Sequence, residues 1–186
     1  IEPLLDLLVV SIASDIVPLT GENRILAHYG LSRLNNNPSK GLLSIIKISG
    51  LDKHSITIDD IVFKIGPRIN AAGWMRMDEN DVNAAPSGGH AAVNLLIEGD
   101  EVQAEEFGSV IDAFNQDRKC IDRSVTQAAH DFIERNPEMK RLKSTVIYNP
   151  RGMKGIVGIV ASRLIETYYR PTVVLTMSNG YVTGSA

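Results

Sequence analysis

The chain has 186 residues and a formal net charge of −3, with 44% hydrophobic and 22% charged residues. This composition is typical of a globular protein with enough apolar side chains for a core, and it excludes a disordered tail or a fibre. No window reaches the roughly 18 uninterrupted apolar residues of a membrane span, so we expect no membrane partner. The single cysteine, Cys120, cannot form an internal disulfide, which favours a reducing, cytoplasmic compartment.

Charge is distributed unevenly along the sequence. Residues 1–136 contain 20 acidic and 12 basic side chains, whereas residues 137–186 contain 2 acidic and 7 basic ones. The net charges are therefore −8 and +5. The basic stretch is either a solvated face or a surface for an anion such as phosphate.

The first hundred residues are expected to be mainly helical. Apolar Leu4–Ile16 predicts a helix, which Pro18 and Gly21 punctuate. Residues 22–34 predict a short helix broken near Gly30. Further helices are expected after Ser39, as an N-cap, and from Thr57 to about Phe63.

Residues 66–73 form a backbone-dominated segment in which two glycines and two alanines leave little side chain, so something could approach the backbone closely. Residues 74–89 are polar and irregular and predict an exposed loop. After a helix at residues 90–98, Asp100 caps the longest predicted helix, whose apolar residues recur at spacings of three, four or seven. A helix of about 35 residues extends about 50 Å, so we expect it to bridge two lobes, with a free coiled coil as the alternative.

Asn136-Pro137 ends the long helix. The spacing of apolar residues then changes from helical to strand-like. Strands are predicted at residues 144–148, 171–176 and 181–183, with a helix at residues 155–169. Strand, helix, strand is the unit of an α/β domain. We divide the chain into residues 1–99, a connecting helix at 100–136, and the start of an α/β lobe at 137–186. Because residue 1 is Ile, and because Gly184-Ser185-Ala186 follow a strand-like run without a turn, we expect a piece of a longer protein.

Asp15 is the first candidate for chemistry, at the end of a small-residue apolar run. A carboxylate there must be solvated, cap a helix or bind a cation, and its oxygens suit Mg²⁺ or Mn²⁺. One carboxylate does not make a metal site, and a capping or surface-turn role is the alternative.

Phosphate contacts are the second kind of candidate. Arg68 offers a planar fork of donors and Asn70 adds an amide; alternatively, Arg68 ties its loop to a neighbouring carboxylate. Lys154 and Arg163 flank a glycine-containing helix start, which attracts anions, although its glycines could equally serve close packing. Ser185 follows a glycine at a strand end and could contact phosphate, with an ordinary turn as the alternative.

Four segments together resemble the RecJ family of bacterial single-strand-DNA-specific exonucleases, within the DHH phosphoesterase superfamily. They are, in the family's order, residues 14–24 (SDIVPLTGENR), 65–73 (IGPRINAAG), 154–164 (KGIVGIVASRL) and 168–172 (YYRPT).

This resemblance implies an α/β chain made of the mainly helical end of a DHH lobe, a long connecting helix and the start of a DHHA1 lobe. It implies a nuclease that degrades single-stranded DNA from the 5′ end with Mn²⁺ or Mg²⁺ in recombination and repair, releasing mononucleotides. Asp15 would be a metal ligand, Arg68 a contact to DNA phosphate near the 5′ end, and Ser185 the start of a phosphate-binding segment.

Helicases and single-strand-binding protein are expected partners. Two alternatives remain open: the chain as present is a non-catalytic nucleic-acid-binding module, or the protein is a phosphodiesterase acting on short oligonucleotides or cyclic dinucleotides. With a single metal carboxylate, the chain alone is expected to have little or no activity.

Overall fold

The structure, a computed structural model, describes residues 2–74, 88–150 and 152–186. The expected α/β class is confirmed, because helices dominate these residues and a small three-stranded sheet follows them. The chain divides into two compact units, residues 1–116 and residues 117–186. Most of the loop expected at residues 74–89 lies outside the described residues. None of the helices in the described ranges has the length and apolar character needed to cross a membrane.

The first unit begins with two helices, α1 (Leu5–Ser14, after a 3₁₀ turn) and α2 (Gly21–Asn36). The predicted break near Gly30 is wrong, because α2 runs through this position. A Cβ atom on Gly30 would collide with the Leu5 carbonyl oxygen and would lie 2.7 Å from Val9 Cβ. The glycine therefore allows α2 to pack closely on α1 and does not end the helix.

Helix α3 (Lys40–Ile48) follows a turn that a buried carboxylate organises. Asp6 is fully buried on α1, and its Oδ2 accepts a 2.7 Å hydrogen bond from the backbone N–H of Ser39. Arg33 Nε lies 3.4 Å from Asp6 Oδ1. Ser39 precedes the helix as predicted, but its side chain makes no capping hydrogen bond. The buried Asp6 is what holds the start of α3.

One continuous helical segment follows. It consists of α4 (Ile58–Asp60), a π-helical turn (Ile61–Ile65) and α5 (Gly66–Trp74). Thr57 and Asp60 form a reciprocal capping box at its start. In the π turn the N–H of Gly66 donates to the carbonyl of Ile61, five residues earlier. The helix expected to end near Phe63 therefore continues, and the backbone-dominated segment at residues 66–73 is helical.

Helices α6 (Gly88–Ile97) and α7 (Glu101–Arg135) complete the helical part. Asp100 caps α7 as predicted, since its Oδ1 accepts a 3.0 Å hydrogen bond from the N–H of Gln103. The 35 residues of α7 include the boundary between the two units. The core of the first unit takes fully buried residues from α1, α2, α3, the π turn, α6 and α7, among them Val9, Leu34, Leu42, Ile61, Leu95 and Ile111.

The second unit contains the end of α7, a short helix α8 (Pro137–Arg141), a sheet, and helix α9 (Val157–Tyr168). The strands are β1 (Thr145–Tyr148), β2 (Thr172–Ser178) and β3 (Tyr181–Ser185). β1 is parallel to β2, so α9 is the crossover between them, and β2 pairs with β3 in antiparallel register.

A separate core, different from that of the first unit, lies under this sheet. The end of α7 contributes Ala129 and Ile133, α9 contributes Val160 and Leu164, and β2 contributes Val174. The alternating burial along β1 matches a strand with one face on this core. The predicted strand–helix–strand unit is therefore present.

Candidate functional site

Two of the predicted site residues, Asp15 and Asn70, line the same cleft of the first unit. The cleft has a volume of about 390 Å³, and α1, α5 and α6 form its walls. Ser11 and Ser14 add hydroxyl groups. The remaining wall is apolar and consists of Leu7, Val10, Ile69, Val93, Leu96 and Ile97. The fold thus brings a carboxylate and an amide, 55 residues apart in sequence, to one apolar-walled cleft.

Asp15 occupies the C-cap of α1, where its backbone N–H donates to the Ser11 carbonyl at 3.1 Å. Its side chain is exposed, which leaves the carboxylate oxygens accessible for a cation. Among the described residues, no group of three or more His, Cys, Asp or Glu side chains is arranged to hold a metal ion. Asp15 therefore fits a hard cation as one oxygen ligand but does not hold one unaided.

Arg68 lies on α5, two residues before Asn70 of the cleft, but its side chain contacts α7. Its Nε donates a 2.8 Å hydrogen bond to Asp112 Oδ1, and its Nη1 donates to the Lys64 carbonyl at 2.7 Å. The Arg68 side chain is 12% exposed and that of Asp112 is 24% exposed. The carboxylate tie that the sequence left as an alternative is therefore present, on a helix and not on a loop.

In the second unit, Ser185 lies beside the first turn of α9. A Cβ atom built on Gly158 would stand 3.3 Å from Ser185 Oγ, so the glycine leaves room for the hydroxyl group. Lys154 is exposed in the turn that precedes α9. The first N–H groups of an α-helix have no partner within the helix and carry its positive dipole end. The fold thus brings Ser185 and Lys154 to one helix N-terminus.

Arg163 lies further along α9 and makes an ion pair that sequence reasoning missed. Its Nη2 lies 2.7 Å from Asp122 Oδ2, and the Asp122 side chain is only 3% exposed. Thr126 Oγ1 donates a hydrogen bond to the same carboxylate at 3.3 Å. The signal available was the placement of Asp122 between Ile121 and Val125, on the apolar stripe of α7, where a carboxylate requires a partner.

A polar cleft of about 730 Å³ lies between α7 and α9, with Arg163, Arg123 and His130 among its lining residues. At its end, His130 Nδ1 and Tyr168 Oη are 3.1 Å apart, and Tyr168 Oη donates to Glu134 at 3.3 Å. Burial, and secondarily the Glu134 charge, raises the pKa of Tyr168 above its usual value. The protonated hydroxyl donates to Glu134 on α7 and so links α9 to α7.

Comparisons with known proteins identify the architecture first as that of metal-binding nucleases. The whole chain superimposes on the crystal structure of a Thermus thermophilus protein in complex with Mg²⁺, with a TM-score of 0.78 and 27% identity. A manganese-bound exonuclease matches the whole chain with a TM-score of 0.75 and 27% identity. The chain covers 27% and 43% of those two structures, respectively.

These solved structures are of RecJ, and the sequence relatives carry the same name. Over all of its own residues, this chain is 35% identical to the single-stranded-DNA-specific exonuclease RecJ of Bacillus subtilis. Over 98% of its own residues it is 34% identical to that of Dickeya dadantii. The resemblance to the RecJ family seen in the sequence is therefore confirmed. The chain spans only 22% and 30% of the length of these two relatives. No family model matches it.

Proposed function

We propose that this chain is a segment of a metal-dependent exonuclease that degrades single-stranded DNA from 5′ to 3′ and releases nucleoside monophosphates during recombination and repair. The observation that carries the proposal is the match of the whole chain, in sequence and in fold, to RecJ exonucleases. The protein that carries the chain is called the full-length protein below. We place it in the cytoplasm, with single-stranded DNA as substrate and with helicases and single-strand-binding protein as partners.

The first unit is proposed to supply one metal ligand. Mn²⁺ or Mg²⁺ would be held by Asp15 together with ligands from outside the described residues, since the relatives in the matched structures bind these ions. Such ions activate water and stabilise charge on phosphorus. Asn70, in the same cleft, has an amide that can donate to a phosphate or sugar oxygen.

The second unit is proposed to bind the phosphate backbone at the start of α9. Ser185 offers a hydroxyl and Lys154 a positive charge. The helix offers N–H groups of its first turn beyond that of Val157, which already donates to the Met153 carbonyl. Arg163 would extend this surface along α9. Because these groups contact phosphate and not bases, binding would be insensitive to sequence and would weaken with salt.

A nuclease assay on the full-length protein tests the catalytic proposal. With Mn²⁺ and a single strand labelled at its 5′ end, mononucleotides should be the first labelled products. Asp15→Asn should abolish this activity, whereas Asp59→Asn, which changes another exposed carboxylate of the same unit, should leave it intact. Equal activities in the two variants would remove Asp15 from the metal site. Release of label only at the end of the reaction would contradict the 5′ start.

Within the described residues no group of three or more His, Cys, Asp or Glu side chains is arranged to hold a metal ion. This favours a second reading for the 186-residue chain by itself, namely a DNA-binding module without catalysis. We expect this chain to bind oligodeoxythymidine and not to cleave it in Mn²⁺. Ser185→Ala should weaken the binding and reduce its salt dependence little, since serine carries no charge. Lys154→Gln should reduce the salt slope by about 0.7, the value for one phosphate contact on a single strand. Robust cleavage by the chain alone would contradict this reading.

A further inference from the structure

The last turn of α1 ends in a backbone arrangement that glycine normally completes. Ile16 has φ +54°, in the left-handed region. The N–H of Ile16 donates to the Ala13 carbonyl, and the N–H of Val17 donates to the Ile12 carbonyl, both at 3.1 Å. This pair of hydrogen bonds defines a Schellman motif in which Ile16 is the C′ residue. Pro18 follows and cannot continue the helix.

Isoleucine is an unfavourable residue at such a position. A β-branched side chain crowds the backbone at positive φ, so an isoleucine there is a conformational outlier. Packing within the described residues does not compensate, because Ile16 is 77% exposed. A glycine would complete the same motif without the steric cost. The side chain is therefore costly to the backbone at this position and makes little contact with the described residues.

Ile16 directly follows Asp15, the residue proposed to bind the metal. Their Cα atoms are about 3.8 Å apart across a trans peptide. The Schellman hydrogen bonds fix the backbone of both residues, so the exposed isoleucine stands at a fixed place beside the carboxylate. A nucleotide whose phosphate is held near Asp15 would bring its own sugar and base within reach of this side chain.

We propose that Ile16 is a substrate-contact residue, which presents an apolar surface to the sugar and base of the nucleotide bound at Asp15. This inference rests on the proposed function and adds to it a contact that carries no charge. An apolar contact releases no counterions, so its loss should weaken DNA binding without altering the salt dependence of binding. The contact would not discriminate between bases, because every nucleotide has an apolar sugar face and a base ring.

The test compares variants of Ile16 in the full-length protein. Oligodeoxythymidine binding is measured by fluorescence anisotropy over a range of salt concentrations, in Ca²⁺, a hard cation with oxygen ligands that keeps a cation at Asp15. Unfolding is followed thermally. Ile16→Gly should raise the unfolding midpoint by roughly 1–4 °C, because it relieves the backbone. It should also weaken oligodeoxythymidine binding about five- to tenfold at an unchanged salt slope. Ile16→Val should bind nearly as well as the unaltered protein, because it keeps a branched apolar side chain.

Two matched controls separate the effects. Tyr169 also has positive φ, at +51°, and is exposed, so Tyr169→Gly should raise the midpoint by a similar amount through backbone relief alone. Ile25, 59% exposed on α2, is another apolar side chain of the first unit, and Ile25→Ala should leave the affinity for DNA unchanged. An equal loss of affinity in Ile25→Ala would overturn the contact.

Other outcomes also overturn the proposal. A lower midpoint for Ile16→Gly would mean that the side chain is buried against another part of the full-length protein. An unchanged affinity for DNA would mean that it touches no substrate. Failure of the proposed function would look different, because the unaltered protein would then bind no Mn²⁺ in a paramagnetic resonance titration, or Asp15→Asn would bind it equally well.

Discussion

Arg68 Nε donates a 2.8 Å hydrogen bond to Asp112 Oδ1, and this ion pair joins α5 to α7 within the first unit. A second contact, from Arg68 Nη1 to the Lys64 carbonyl, fixes the plane of the guanidinium group. A fixed guanidinium is well suited to bidentate recognition of a phosphate, because little side-chain entropy remains to be lost on binding. The ion pair with Asp112 therefore leaves Arg68 suited to a second role, as a contact to the 5′ phosphate of single-stranded DNA.

Removing the guanidinium group tests that role. We expect Arg68→Ala in the full-length protein to weaken the binding of a 5′-phosphorylated strand about tenfold more than that of an unphosphorylated strand, because a charge-assisted hydrogen bond is lost only with the former. Asp112→Asn keeps an acceptor for Nε but removes the competing negative charge, so it should increase the preference for 5′ phosphate. Equal losses on both strands would exclude Arg68 from this contact.

Arg163 requires a different design, because its loss leaves a buried charge. Arg163→Met should lower the free energy of unfolding by about 2–3 kcal/mol, since the buried Asp122 carboxylate then loses the Arg163 cation. This is less than for a fully buried pair because the Arg163 side chain is 43% exposed. Adding Asp122→Asn should recover part of the loss, as measured by urea unfolding.

The double variant then serves as the background for DNA binding. If Arg163 contacts phosphate, Arg163→Met with Asp122→Asn should bind oligodeoxythymidine more weakly, and with a smaller salt slope, than Asp122→Asn alone. Identical binding by these two proteins would leave Arg163 with the structural role only.

We predict that a larger residue at Gly30 destabilises the fold, although Gly30 lies inside a helix, where alanine is usually the better residue. Gly30→Ala should lower the free energy of unfolding by about 1–3 kcal/mol, because the added methyl group forces α2 away from Leu5 and Val9. Gly73 on α5 is the matched control, since no described atom lies within 4 Å of the position its Cβ would take. Gly73→Ala should be neutral or stabilise by up to about 1 kcal/mol. Equal changes in the free energy of unfolding for Gly30→Ala and Gly73→Ala, measured with urea, would mean that the close contact between α1 and α2 does not cause the loss.

The capping box at α4 makes part of the stability depend on pH. A hydrogen bond from Lys64, followed by those from Thr57, lowers the pKa of Asp60 to about 2 from its usual 3.8. A lowered carboxyl pKa stabilises the fold fully above the unfolded value, and this contribution is lost as pH falls from about 4 towards 2.

Asp60→Asn should therefore destabilise the protein at neutral pH by about 1 kcal/mol, and this difference should shrink as the solution is acidified through that range. Urea midpoints at pH 7, 4 and 2 measure it. Asp59→Asn, at the neighbouring exposed carboxylate, should show no such convergence. A difference that stays constant from pH 7 to pH 2 would mean that the charge of Asp60 is not the stabilising feature.

Much of the fold follows from local signals in the sequence. The apolar periodicity and the Asp100 cap predict α7 correctly, and the change of period after Pro137 predicts β1, α9 and β2. The tight turn between β2 and β3 also has a local signal, because the dipeptide Asn179-Gly180 favours a two-residue hairpin turn. Both residues adopt positive φ in that turn.

Other features depend on partners far away in the chain, which periodicity does not show. Gly30 looks like a helix breaker in its own segment, and only the neighbouring helix explains it. Ser185 and Gly158 meet because a hairpin returns the chain to the start of α9. The sequence offers the pairing of Arg68 with a carboxylate only as an alternative to phosphate, and it does not reveal the partner, because Asp112 is 44 residues away.

The π-helical turn at residues 61–65 sets the angular phase of everything after it on the same helical segment. Each residue of an α-helix advances about 100° around the axis. In the π turn the N–H of Gly66 donates five residues back, so five residues complete about the turn that four complete in an α-helix. Winding the same five residues as an α-helix would therefore rotate α5 by roughly 100° relative to α4. Arg68 would then leave the side that faces Asp112, and Asn70 would leave the Asp15 cleft. The π winding therefore orients two side chains at once, Arg68 towards Asp112 and Asn70 towards the cleft that Asp15 lines.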